Sequence, residues 1–128
     1  MRFYDIGIST LVIDAPRKWT DNILSQHTIP DVRSGRQGVA RRISYPALIR
    51  LGIIRQLHTE LGIGVADAIR LAAQLLDSGQ ETVLEAGQLR LRVDYDALRQ
   101  LVDERLALAL ESAPSPKRGR PPRKASGF

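Results

Sequence analysis

The sequence predicts a mainly α fold with small β elements, on three grounds. Apolar residues recur at steps of three and four over residues 44–76 and again over 95–110, the period of a helix with one packed face. Residues 27–43 and 82–93 carry short extended patterns broken by glycines, the mark of strand pairs. Residues 113–128 lose all apolar repetition and turn to Ser, Pro, Gly, Lys and Arg, a composition that cannot build a core and predicts a disordered tail. A chain of 128 residues suits one compact body plus such a tail. At 43% hydrophobic it can bury a core, but with 5% aromatics the packing falls to aliphatic side chains.

Helix, turn, helix is the expectation for residues 7–26. Ser9 is placed to cap a short helix carrying Leu11, Val12 and Ile13. Asp14-Ala15-Pro16 breaks it. Pro suits the first turn of a second helix, running to about Gln26, because its missing N–H has no intrahelical partner there. Asp14 or Ala15 precedes that start, with Asp14 the better cap chemically. Trp19 and Ile23 share one face of this helix, which assigns Trp19 to packing rather than base stacking. His27–Pro30 and Val39–Ile43 are expected as two strands around the loop Arg33–Gly38, although Pro30 weakens the first.

Ser44-Tyr45-Pro46 opens a helix with Leu48, Leu51, Ile54, Leu57 and Leu61 on its stripe, ended by Gly62-Ile63-Gly64. Val65, Ile69, Ala72, Ala73 and Leu76 then mark an Ala-rich helix ending near Ser78-Gly79. From Thr82 to Val93 the period becomes two, with a turn at Ala86-Gly87, so a hairpin is expected. Asp94 caps a last helix from Tyr95 to about Glu111. Leu98, Leu101, Val102, Leu106, Leu108, Ala109 and Leu110 give it a stripe too wide for one contact. The expected organisation is 1–80 as a first domain, 81–112 as a hairpin plus helix forming a homodimer through residues 95–110, and 113–128 as the tail.

Charge separates the chain more sharply than composition does. Residues 17–55 hold Arg17, Lys18, Arg33, Arg36, Arg41, Arg42, Arg50 and Arg55 against Asp21 and Asp31. Residues 113–128 hold Lys117, Arg118, Arg120, Arg123 and Lys124 with no acid. Between them, acids outnumber bases. A polyanion would be drawn to the first and last blocks and repelled by the middle. A basic block can also be a plain solvated face, but its concentration around a Gly-containing loop favours contact with nucleic acid.

Other classes fit poorly. There is no Cys, hence no disulfide, thiolate metal site or thiol nucleophile. His27 and His58 are isolated and lack the spacing of a metal pair. Asp94, Asp96, Asp103 and Glu104 are the cap and acids of a helix, and no Ser/His/Asp set is suggested. The expectation is therefore no enzyme, no cofactor and no metal. No apolar run approaches the roughly 20 residues of a membrane span, and Met1-Arg2-Phe3-Tyr4-Asp5 lacks the layout of a signal peptide, so a cytoplasmic, nucleoid location is expected.

Two resemblances give this balance a shape. Residues 6–76 resemble the winged helix-turn-helix of MerR-type regulators. The match lies in Pro16-Arg17-Lys18-Trp19, in the basic Gly-containing segment Gly35–Arg42, in Ile43–Leu51 and in Leu61-Gly62-Ile63-Gly64-Val65. It departs from the family at Asn22-Ile23-Leu24, where Arg-Tyr-Tyr is usual, and in the hairpin that precedes the last helix. The resemblance implies that the second helix enters the major groove, with Arg17, Lys18, Thr20, Asp21 and Asn22 as candidate contacts, and that Arg33, Arg36, Arg41 and Arg42 of the wing hold the backbone.

Arg118-Gly119-Arg120-Pro121 resembles the core of the AT-hook, which lies in the minor groove of A·T-rich DNA. The narrow groove of such tracts attracts Arg, and Gly119 lets the backbone approach its floor. Lys117, Arg123 and Lys124 are candidate phosphate contacts. A generic solubilising basic tail is the plainer alternative. The expected function is that of a sequence-specific DNA-binding protein, a transcriptional regulator. The alternatives are an architectural, nucleoid-associated DNA-binding protein and an antitoxin-like interaction module.

Overall fold

Strand β1 (Phe3–Tyr4) leads into helix α1 (Ile6–Ile13) through Asp5, whose carboxylate accepts the Ile8 N–H at 2.8 Å. Asp5, not Ser9, is thus the cap. Ser9 lies inside the helix, buried, and its hydroxyl donates back to the Asp5 carbonyl at 2.9 Å. Asp14 also takes a different role from the one expected. It ends α1 in the left-handed conformation, at φ 55, which Asp tolerates better than most residues. The cap of helix α2 (Arg17–Gln26) is Pro16, which has no side-chain hydrogen bond to offer. The computed structural model that fixes these elements describes residues 2–33, 40–77 and 83–112.

The strands after α2 are β2 (Val32–Arg33) and β3 (Arg42–Ser44). The first falls after Pro30 rather than on His27–Pro30. Pro30 has no N–H for a ladder, and Asp31 turns the chain at φ 65 before pairing begins. β1 and β2 both pair antiparallel with β3, so β3 is the centre of a three-stranded sheet. Fully buried Ile43 stands opposite both Tyr4 and Val32. β1 goes beyond what the sequence predicts, because two residues are too few for an alternation to register.

Helix α3 (Tyr45–Leu61) starts where the stripe predicts. Ser44 accepts the Ala47 N–H at 3.2 Å, and Gly62 closes the helix at φ 69. It is the centre of the molecule. Leu48, Leu51 and Ile54 are joined in burial by Ile49 and Ile53 from other faces, since neighbours lie on several sides. Helix α4 (Val65–Asp77) packs on it through Ala68, Ala72 and Leu75. Of the expected stripe only Ala72 is fully covered. Val65, Ile69 and Leu76 lie at its edge.

Strands β4 (Val83–Ala86) and β5 (Leu89–Arg92) form the expected hairpin, with Gly87 at φ 61 in its two-residue turn and Arg90 paired to Glu85 at 3.1 Å. Asp94 accepts the Ala97 N–H at 3.1 Å and starts helix α5 (Tyr95–Ser112). α5 lies on α1 and α3 and buries Leu98, Val102, Leu106 and Ala109. Much of the wide apolar stripe is therefore covered by the chain itself, and Leu108 and Leu110 stay exposed. α5 thus joins one continuous cluster with Ile8, Ile43 and Leu57. Tyr45 adds a polar tie by donating to Asp103, and burial together with that carboxylate raises the Tyr45 pKa. Among the described residues no helix is long and apolar enough to cross a membrane. The expected tail, residues 34–39 of the expected loop region and residues 78–82 lie outside the described residues.

Ile54→Ala is expected to cost about 2–5 kcal/mol in urea denaturation, the range for truncating a fully buried Ile. Leu89→Ala, at an exposed hairpin position, should change stability by less than about 0.5 kcal/mol.

Candidate nucleic-acid interface

Helix α2 divides into two faces. Thr20 and Ile23 are buried, and Trp19 and Leu24 pack against the core from the edges. Arg17, Lys18, Asn22 and Ser25 are exposed and, with half-exposed Asp21, share the opposite stripe. Thr20 is therefore not a contact residue. It is fully buried, and its hydroxyl donates to the Pro16 carbonyl at 3.2 Å. Asp21 stays on the outer stripe, but its carboxylate lies 3.8 Å from the Arg17 guanidinium and 3.3 Å from that of Arg41.

The sheet is fastened to this helix by Arg41. Its guanidinium reaches Asp21 and also donates to the Ser25 hydroxyl at 2.8 Å. Arg41 is thus a strut between strand and helix rather than an open phosphate ligand. Arg33 and Arg42 differ from it. They stand directly opposite each other on β2 and β3, and both are exposed. Neither has an acidic partner among the described residues, and like charges in cross-strand register repel. The Arg33 guanidinium is held 4.6 Å above the Phe3 ring, a cation–π contact that fixes its position without neutralising it. Arg36 and the residues expected to form a hook, Lys117, Arg118, Gly119, Arg120, Pro121, Arg123 and Lys124, lie outside the described residues.

Two supports of this surface escape sequence reasoning. One is β1, which brings Phe3 under Arg33 and Arg2 over Tyr4 at 5.4 Å. The other is Arg55 on α3. Its Nε donates to the Asp14 carbonyl at 3.3 Å, and its guanidinium lies 4.9 Å above Trp19. Trp19 in turn meets His58, with ring centres 6.0 Å apart, and His58 Nδ1 lies 2.8 Å from the Ile63 carbonyl. The only sequence signal for Arg55 is its position off the apolar stripe of α3, which most surface residues share.

The arrangement offers cations and amide groups on a convex helix beside a strand pair. Among the described residues no three His, Cys, Asp or Glu side chains are grouped to hold a metal.

Arg55→Ala removes both the donor to Asp14 and the cation over Trp19. It is expected to cost about 1–2 kcal/mol, combining a charge-assisted hydrogen bond with a cation–π contact. It should also shift the emission of the single Trp to longer wavelength as the ring meets water. Fluorescence-detected urea titration reads both effects.

No protein-family model, no curated protein and no solved structure matches this chain.

Proposed function

We propose that this chain is a sequence-specific DNA-binding protein, a transcriptional regulator of MerR-like winged helix-turn-helix type. The observation that carries this is the outer stripe of α2, Arg17, Lys18 and Asn22, set beside the unneutralised pair Arg33 and Arg42. A helix of this width fits the major groove, where Arg selects guanine and Asn selects adenine by paired hydrogen bonds. Phosphate oxygens between Arg33 and Arg42 would relieve their mutual repulsion and fix the register of the helix on the duplex. The first turn of α2, capped by Pro16 without a side-chain bond, leaves N–H groups for a further phosphate. The tail adds the minor-groove anchor. A homodimer reading an inverted repeat belongs to the same proposal, with Leu108 and Leu110 of α5 as its remaining apolar edge.

Selection of bound duplexes from a random library tests this directly. The expected result is an enriched motif, with half-sites if the dimer forms. A flat profile with a steep salt dependence would instead mean binding by charge and DNA shape. Arg17→Ala with Lys18→Ala should abolish the motif preference. Arg33→Ala with Arg42→Ala should weaken all duplexes alike and reduce the slope of log K against log salt by about 2, near 0.9 for each phosphate no longer neutralised. Deleting residues 113–128 should lower affinity for A·T-rich flanks and leave the thermal unfolding of the remaining chain unchanged.

A further inference from the structure

A cavity of about 310 Å³ opens on the side of the molecule formed by α3, α4, β5 and α5. Its walls are apolar: Ile53 and Leu57 from α3, Leu75 from α4, Leu91 from β5, Leu98 and Leu101 from α5. Polar side chains stand among them, namely Gln56, Glu60, Arg92 and Asp94, the last already accepting the Ala97 N–H as the cap of α5. Among the described residues, the side chains of Gln56, Glu60 and Arg92 take part in no hydrogen bond or ion pair of the protein itself. None of the cavity residues belongs to the outer stripe of α2 or to the opposed arginines.

The size selects the kind of occupant. An apolar cavity of about 150 Å³ holds one benzene, and organic ligand sites begin near 300 Å³. A protein partner would need about 800 Å² of matching surface on each side, far more than a concavity of this size supplies. The charges select further. Glu60 and Arg92 are opposite in sign and offset each other, Asp94 is offset by the N-terminus of α5 that it caps, and Gln56 carries both a donor and an acceptor. A polar group of either kind can be bonded, but neither net charge is favoured.

We propose that this cavity binds a small, uncharged, mainly apolar organic molecule of about bicyclic size. Its occupancy reaches the helix-turn-helix through α5. Leu98 and Leu101 lie on the helix that also carries Arg105, whose Nη1 donates to the Val12 carbonyl at the end of α1 at 3.2 Å. A molecule seated against Leu98 and Leu101 bears on that helix and so on the anchor of α1. The site stands on its own geometry and does not depend on DNA binding.

The test is an NMR titration of the full chain with 1-naphthol, which is uncharged at neutral pH. Saturable shifts are expected in the methyl groups of Leu57, Leu91 and Leu98 and in the amides of Val12 and Asp14. Gln56→Trp and Ala97→Trp, both at exposed lining positions, should each weaken binding at least tenfold while keeping a folded spectrum. Naphthoate and naphthylmethylammonium of the same ring size should bind at least tenfold more weakly than 1-naphthol. In Arg105→Met the cavity shifts should persist and those at Val12 and Asp14 should vanish. Unsaturable shifts, or undiminished binding by both filled variants, overturn the site. Equal binding of the charged probes overturns the ligand class. Retention of the α1 shifts in Arg105→Met overturns the coupling.

Discussion

The end of α1 is the constraint on which the rest of the surface depends. The last carbonyls of a helix have no partner within it, and here two of them are met by arginines from distant parts of the chain. Arg105 on α5 donates to Val12, and Arg55 on α3 donates to Asp14 just beyond the helix. Both cations also complement the negative end of the α1 dipole. The left-handed turn at Asp14 then delivers Pro16 and α2 in one direction only. Without these two bonds the core could still form around α3, but the placing of Arg17, Lys18 and Asn22 would rest on the Arg41 strut and the buried side of α2 alone.

Arginine carries several distinct tasks within a small volume. Arg41 is neutralised and acts as a strut. Arg55 is engaged by a carbonyl and a ring. Arg33 and Arg42 are held in place, one by the Phe3 ring and both by the strand ladder, yet have no acidic partner among the described residues. A fold that places two like charges in direct register gives up some stability there. That makes the pair more informative than the total charge of the block, since solvated cations elsewhere are free to separate.

Much of the helical framework is legible in the sequence because it rests on local rules. Ser44, Pro46 and Gly62 mark the ends of α3 by capping chemistry, and Asp94 does the same for α5. Where expectation and structure part, the causes are physical. The capping Asp before Ile6 is hidden by Ser9, which reads as the cap but lies within the helix with its hydroxyl satisfied on the Asp5 carbonyl. Thr20 reads as a polar contact residue, yet a Thr can satisfy its hydroxyl on the carbonyl four residues back and be buried. The stripe of α5 is indeed too wide for one neighbour. Two neighbours within the same chain, α1 and α3, take up its Leu98–Ala109 side. The roles of Arg41 and Arg55 are out of reach of sequence reading, because each depends on contacts between segments that periodicity does not connect.

The bond from Arg105 to Val12 joins residues 93 positions apart. The first helix of the chain therefore lies on the last, while α3 and α4, neighbours in sequence, pack with each other. During synthesis, α3 and α4 can pair as soon as both have emerged. α1 has no complete surface to settle on until α5 is made. Helices α1 and α2, although encoded first, are among the last parts that can reach their final geometry. A chain that stops before Tyr95 would carry the helices of this surface without the support that aims them.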